Sequence, residues 1–198
     1  TAQPKFPLLT YQELPDPATP SDKEWAAVTT TQVSWGTTDV RYAKHGLPRL
    51  KNQQTIALKG WRGERVNAQA VVWTGVELKD LNFSFGDFKD KKGNVLPQDA
   101  FTGGFVRYVM TDELNKDGRG ACGHRKAVDY DSLLVADPID TSLKAMALPA
   151  RTVQPVWVQC WIPQSAVPGT YKGELLINDG SRLLQRLNLE ITVSSREL

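Results

Sequence analysis

Cysteine and histidine are scarce in this sequence, with only two of each among 198 residues. Cys122 and Cys160 cannot build a disulfide framework, and their spacing matches no metal-binding pattern. Cys160 alternates with apolar residues, which favours a buried thiol, and a bridge to Cys122 stays open as the less favoured alternative. We therefore expect no metal site and no cofactor.

Long apolar runs and an excess of one charge are also missing. No apolar stretch approaches the ~18 residues that a membrane span needs. Lys and Arg number 24 against 22 Asp and Glu, and a net charge of +2 is too small to favour an anionic partner. We therefore expect no membrane span and no nucleic-acid partner.

Catalytic signatures are absent as well. The sequence contains no nucleophile elbow, no zinc-protease motif and no phosphate-binding loop. Asp129 with Asp131, or Asp112 with Glu113, could form a glycosidase carboxylate pair, but solvated loop carboxylates are the favoured interpretation. Segment 113–124 begins like a calcium loop and lacks the final bidentate Glu, so an Asn/Gly turn is favoured there. The sequence predicts no catalytic residue.

Short stretches of alternating apolar and polar residues dominate the chain and are typical of β-strands. Gly- and Pro-containing turn signals separate them, and no long helical period occurs. This pattern predicts an all-β protein, an antiparallel β-sandwich of the immunoglobulin-like or Greek-key type. The predicted strands are 65–73, 81–88, 105–110, 155–162, 170–178 and 182–193.

Two segments depart from this pattern. Residues 1–30 predict a proline-rich, irregular arm with one short helix, which Ser21 and Glu24 cap, ahead of a sandwich domain at 31–198. Residues 111–150 contain Asn115, Gly118, Gly120, Gly123, Pro138 and Pro149 and predict one long, mostly irregular loop.

The last two predicted strands constrain their own connection. A two-residue turn at Asp179-Gly180 would pair Ile177 with Arg182 and set the two apolar faces on opposite sides, because side chains alternate with a period of two. An odd-length loop or a bulge restores the match. We predict the odd-length loop, with Ile177 opposite Leu183.

Tryptophan is the most informative residue type. Trp157 and Trp161 share one face of strand 155–162, with Gln159 between them, and the opposite face is apolar. A strand that is apolar on both faces has to be covered on both. The Trp face can pack under segment 111–150, stack on a sugar ring or contact another domain. Packing is favoured, and we expect both indoles to be covered.

The segment Trp61-Arg62-Gly63-Glu64-Arg65 places charges between an aromatic residue and the start of a strand. An ion pair of Arg62 or Arg65 with Glu64 is the simpler interpretation. An arginine that binds a carboxylate of a neighbouring domain is the alternative.

The run W-R-G-E-R-V-N-A-Q-A-V-V-W (61–73) resembles the N-terminal β-sandwich domain of glycoside hydrolase family 123 and related Bacteroides-type glycoside hydrolases. The stretches F-V-R-Y-V (105–109), Q-P-V-W-V (154–158) and P-x-x-x-x-P-G-x-Y-x-G (163–173) are similar to that group in the same order. S-W-G (34–36) and A-C-G-H-R (121–125) agree too, so the resemblance extends over about residues 30–195.

The resemblance implies a non-catalytic accessory domain that precedes a (β/α)₈ catalytic barrel in the same parent chain. In that family the barrel acts on N-acetylgalactosaminides through an adjacent Asp-Glu pair, so no catalytic residue can be assigned to this chain. The implied partners are the barrel, which the domain would brace and whose cleft it would help to line, and a glycan. An autonomous carbohydrate-binding module is the alternative. The candidate interface or sugar-binding residues are Trp61, Arg62, Trp157 and Trp161.

The same resemblance implies a secreted or periplasmic location in a Gram-negative cell envelope. A first residue Thr1 and the lack of a signal peptide fit a processed secreted protein, and equally a shortened chain.

Overall fold

The computed structural model describes residues 13–111 and 133–198, and strands dominate both ranges. In chain order the elements are α1 (Asp22–Trp25), β1 (Thr31–Gly36), β2 (Thr55–Arg62), β3 (Arg65–Thr74), β4 (Leu78–Phe85), β5 (Phe88–Lys89), β6 (Val95–Leu96), a 3₁₀ turn (Gln98–Ala100), β7 (Phe101–Thr111), β8 (Leu133–Asp140), β9 (Ala145–Leu148), β10 (Thr152–Trp161), β11 (Gly169–Asp179) and β12 (Arg182–Glu197).

The strands form two sheets that face each other. The five-stranded sheet has the order β1-β3-β10-β7-β8, and the second sheet has the order β2-β12-β11-β4-β9, with β5 and β6 attached at β11. The predicted all-β sandwich is confirmed. Its strands are not all antiparallel, because β2 runs parallel to β12 while the other ladders of the described chain are antiparallel.

The main core lies between the two sheets. The inward face of β10 presents Val156, Val158 and Cys160, all of them buried. Trp35 of β1 crosses the core, and its indole Nε1 donates a hydrogen bond to the Asn188 carbonyl of β12 at 2.9 Å. Cys160 carries a free thiol, and burial raises its pKa to about 12. The expected buried thiol is confirmed.

In the β11–β12 hairpin, a bulge brings the apolar residues of the two strands to the same face of the sheet. The hairpin loop has two residues, Gly180 and Ser181, and the register then shifts by one residue so that Ile177 pairs with Gln185. The odd-length loop and the pairing of Ile177 with Leu183 are therefore wrong. The bulge adds the one residue that inverts the alternation, which returns the remaining apolar residues to the core face. These buried residues are Tyr171, Leu175, Ile177, Leu187, Leu189, Ile191 and Val193.

Segment 111–150 is more regular than predicted. Residues 133–140 form β8 and residues 145–148 form β9, so the prediction of a mostly irregular loop is wrong for this part. The Pro138 signal is misleading because β8 is the edge strand of its sheet, where a missing N–H donor costs little. Residues 112–132 lie outside the described residues.

The outer face of the five-stranded sheet is covered in part by a third layer, which the segments 13–30 and 37–50 on either side of β1 supply. The helix α1 is short, as predicted, and Ser21 Oγ accepts a hydrogen bond from the Glu24 N–H at 3.4 Å. Trp25 is buried against the sheet with its Nε1 donating to the His45 carbonyl at 2.8 Å. Segment 13–30 is thus packed against the sandwich rather than detached from it. The residues of this second cluster are Trp25, Tyr42, Val71 and Val153, with Val28, Leu47, Leu50 and Trp73 at its margin.

Glu13 fastens the start of this layer to the sheet. Its carboxylate accepts hydrogen bonds from Lys44 Nζ at 2.6 Å, Arg107 Nε at 3.0 Å and the Tyr108 N–H at 3.3 Å. Arg107 also reaches Asp140 at 3.3 Å. Burial raises the pKa of Glu13, but the hydrogen bonds from Lys44 and Arg107 outweigh burial, and the net pKa lies below its ordinary value of 4.5.

Gly103 on β7 allows a close approach between the sheets, since a Cβ atom there would overlap the ring of Phe83 from β4. We expect Gly103→Ala to lower the free energy of unfolding by about 1–3 kcal/mol, because the ring has no room to retreat within a packed core. Chemical denaturation measures this. The matched control is Gly86→Ala, whose new Cβ would meet its nearest atom at 3.7 Å; an equal loss in both variants would contradict the overlap.

Glu13→Gln tests the anchor of the third layer. Because the pKa of Glu13 is lowered in the folded state, its contribution is present above pH 4.5 and is lost as the pH falls through the folded pKa. We expect the variant to unfold about 1–3 kcal/mol more easily at pH 7, and the difference from the native chain to shrink in acid. Denaturation series from pH 7 downwards measure both. A difference independent of pH would rule out the charged network.

Candidate functional surface

The uncovered part of the outer sheet face lies where β3 begins and β10 ends. Register and alternation place residues of β3, β10 and β7 side by side in rows across the sheet. One row joins Gln69, Trp157 and Gly104, and the next joins Asn67, Gln159 and Thr102. Beyond them, Arg65 lies beside Trp161.

Trp161 is the most exposed tryptophan of this face, with 55% of its surface open. Its indole Nε1 donates to the Gly63 carbonyl at 3.0 Å, which fixes the ring orientation. The Arg65 guanidinium lies over the ring, with Cζ 4.8 Å from the centroid, in a cation–π contact. An exposed aromatic ring is thus held in place at the rim of the sandwich.

Trp61, at the end of β2, is 39% exposed on the same rim. The Arg196 guanidinium of β12 lies 6.0 Å from its ring centroid. Its backbone N–H donates to Glu64 Oε2 at 2.7 Å. Together, Trp61, Arg65, Trp161 and Arg196 form a surface that we call the tryptophan edge.

Arg62 holds together the backbone beneath the tryptophan edge. Its guanidinium donates to the Ser195 carbonyl at 3.2 Å and to the Gln164 carbonyl at 3.4 Å. Its own carbonyl accepts from the Leu198 N–H at 2.9 Å. The β2–β3 turn follows at Gly63, whose φ of +85° lies in the region that favours glycine. The last described residues therefore run directly beside the tryptophan edge.

The structure agrees only in part with the charge pairing that the sequence predicts for residues 61–65. Arg65 stacks on Trp161 instead of pairing with Glu64, so the ion-pair interpretation is wrong for Arg65. The contacts of Arg62 with two backbone carbonyls, and the contributions of Arg65 and Arg196, do not follow from the sequence pattern. Alternation along the strand places Arg65 on the face of the sheet that carries the tryptophans. Only the β3–β10 register identifies Trp161 as its partner.

Trp157 has a different environment. It is half-buried and packs at the margin of a cluster formed by Val106, Tyr108, Leu134 and Ala136. Leu134 and Ala136, which belong to the predicted 111–150 segment, pack beside its indole from β8 of the same sheet and cover it only in part. The described part of that segment leaves Trp161 exposed, and its cover by a neighbouring domain, the other expectation, stays a prediction.

A shallow cleft of about 180 Å³ opens beside Trp157. Gln159 lies on one side of it, where its Nε2 donates to Asn67 Oδ1 at 3.0 Å. The lining residues are Thr102, Gly103, Gly104, Ile139, Thr141, Trp157 and Gln159.

Neither a metal centre nor a membrane helix is found in the parts that the structure describes. Within residues 13–111 and 133–198, no three His, Cys, Asp or Glu side chains come together as metal ligands. No helix in those ranges has the length and apolarity to cross a membrane. The candidates at Asp112–Glu113, Asp129–Asp131, 113–124 and Cys122 lie outside the described residues.

The fold and this surface define a two-sheet β-sandwich domain with an exposed aromatic and arginine-rich rim. The sequence profile of the glycoside hydrolase 123 N-terminal domain matches residues 35–179, which is most of the chain. The chain therefore belongs to the glycoside hydrolase 123 N-terminal domain family.

One solved structure supports the fold. A family 123 glycoside hydrolase from Clostridium perfringens, studied for glycolipid glycan hydrolysis, aligns at a TM-score of 0.69 with 19% identity over 85% of this chain. The chain spans only 28% of that enzyme's length. A PapD-like domain of human CEP192 aligns at a TM-score of 0.42 with 13% identity, over 96% of this chain and 100% of that chain. No curated protein sequence matches the chain.

Because Trp161 is exposed, we expect it to contribute little to the stability of the isolated domain. We expect Trp161→Ala to change the free energy of unfolding by no more than about 1 kcal/mol, because most of the ring already contacts water. Trp35→Ala, at a residue 1% exposed, serves as the comparison and is expected to cost about 3–5 kcal/mol. Urea denaturation of both variants measures this. Comparable losses would show that Trp161 belongs to the core energetically.

Proposed function

We propose that this chain is a non-catalytic accessory domain of a glycoside hydrolase, and that it braces the (β/α)₈ catalytic domain of its parent through the tryptophan edge. The observation that carries the proposal is the exposure of Trp61 and Trp161, each beside an arginine, next to the final residues. Family membership and the short span of the related enzyme that the chain covers support a further domain in the parent.

The chemistry of the tryptophan edge suits a contact between domains. Tryptophan and arginine are enriched at the centres of protein interfaces, where a large flat side chain loses much water for little conformational entropy. Arg65 and Arg196 provide guanidinium groups that can stack on an indole and bind a carboxylate of the partner. A chain that continues past Leu198 would place its next residues beside this edge.

A glycan-binding platform at Trp161 is the second candidate, corresponding to an autonomous carbohydrate-binding module. The open indole favours it. The arginine stacked on one ring face removes that face from sugar stacking, so the contact between domains is the better supported use of Trp161. A secreted or periplasmic location, implied by the family resemblance, is part of the same proposal.

The contact between domains is tested by comparing variants in the parent protein and in the isolated chain. In the parent, Trp161→Ala should lower the stability of the sandwich domain by about 1–2 kcal/mol, because truncation of a buried interface aromatic leaves its pocket empty. In the isolated chain the effect should be much smaller. Calorimetry or domain-resolved proteolysis measures both.

The matched control is Leu183→Ala, an apolar residue that is also exposed but lies at the opposite end of β12. It should behave alike in both contexts. Identical effects of Trp161→Ala in the parent and in the isolated chain would refute the contact.

A further inference from the structure

The cleft beside Trp157 is separate from the tryptophan edge and has a composition of its own. Among the residues that the structure describes, none of those lining the cleft is ionisable, and they comprise two threonines, two glycines, Ile139, Trp157 and Gln159. Asp140 follows Ile139, but its carboxylate is engaged by Ser142, the Leu143 N–H and Arg107. A charged ligand would therefore enter this cleft without a counter-ion to replace its water.

Gln159 and two threonines, Thr102 and Thr141, form the polar side of the cleft. Gln159 Nε2 donates at 3.0 Å to Oδ1 of Asn67, which lies on β3 outside the lining, and this bond orients the Gln159 side chain. It leaves Gln159 Oε1 as an acceptor without a protein partner among the described residues. An acceptor beside hydroxyl groups that can donate matches neighbouring sugar hydroxyls, since each hydroxyl both donates and accepts.

The apolar side of the cleft is formed by an indole that is already held in place. Trp157 is supported by the cluster of Tyr108, Leu134 and Ala136, so little side-chain entropy remains to be lost on binding. Its neighbour on β7 is Gly104, whose missing side chain leaves this part of the cleft open. A Cβ there would lie 2.7 Å from Ile139 Cγ2 and 3.0 Å from the Asp140 carbonyl oxygen. A flat aromatic side beside hydrogen-bonding groups suits the two chemically different sides of a pyranose ring.

We propose that this cleft binds one uncharged pyranose residue of a glycan. The C–H face of the ring lies against Trp157, and neighbouring hydroxyl or acetamido groups bind Gln159, which Asn67 orients, and the lining threonines. The volume of about 180 Å³ accommodates a single ring. The proposal goes beyond the contact between domains and holds whether or not Trp161 meets a catalytic domain.

The test is an NMR titration of the isotopically labelled 198-residue chain with methyl N-acetyl-β-D-galactosaminide and, separately, with the methyl glycoside of galacturonate. We expect saturable shifts for the Trp157 indole N–H and the Gln159 and Asn67 side-chain amides with the neutral sugar. The uronate should bind about tenfold more weakly or not at all, because it brings an unpaired charge to an uncharged cleft.

Variants establish which groups hold the sugar. Gln159→Ala should weaken binding of the neutral sugar about tenfold, and Asn67→Ala should weaken it less, because it removes only the acceptor that orients Gln159. Gln32→Ala, an exposed glutamine on β1, is the matched control and should leave the affinity unchanged. Trp161→Ala should also leave it unchanged, which separates this site from the tryptophan edge.

Three outcomes would overturn the proposal: no saturable shift at the highest soluble sugar concentration, equal affinity for the uronate, or unchanged affinity in both amide variants. Shifts confined to Trp61 and Trp161 would instead place the sugar on the tryptophan edge and count against both this cleft and the contact between domains.

Discussion

Strand β10 is apolar on both faces, and the arrangement of the rest of the chain follows from the need to cover them both. The inward face is covered by the second sheet, where Val156 and Val158 lie in the main core. The outward face cannot be left in water along its whole length, because each large side chain exposed there forgoes about 1.5–3 kcal/mol of burial. Segments 13–30 and 37–50 provide the second cover, and side chains of the edge strand β8 pack beside it on the same face.

This second cover is incomplete, and the functional candidates lie where it ends. The N-terminal layer, which Glu13 fastens through Lys44 and Arg107, covers the rows around Val71 and Val153. Side chains of β8 pack beside Trp157 on the same face, and the described residues leave the rows beyond it open. The sheet therefore changes from a packed surface to a half-open cleft to an exposed rim along a single strand, without any change in its backbone geometry.

The sequence predicts the elements whose signals are local. The alternation of β10 identifies which side chains face the core, and the parity of the last two strands requires a compensating residue that the structure places in a bulge. Strand β8 escapes prediction because its Pro138 is tolerated only at an edge, and edge position depends on the whole sheet. The parallel pairing of β2 with β12 joins residues more than a hundred positions apart, which local patterns do not encode. For the same reason the sequence marks Trp161 as a candidate but not its partner Arg65.

The parallel ladder between β2 and β12 also determines how the domain responds to mechanical load. The ladder runs from Asn188 to Val193 with β2 alongside, and β11 pairs with the opposite edge of β12. Tension applied along β12 at Leu198 would act parallel to the strand, so the hydrogen bonds of both ladders would have to slide together and could not open one after another. A long strand that is hydrogen-bonded along both edges resists such shear. Any domain attached at the end of β12 would therefore move together with this domain.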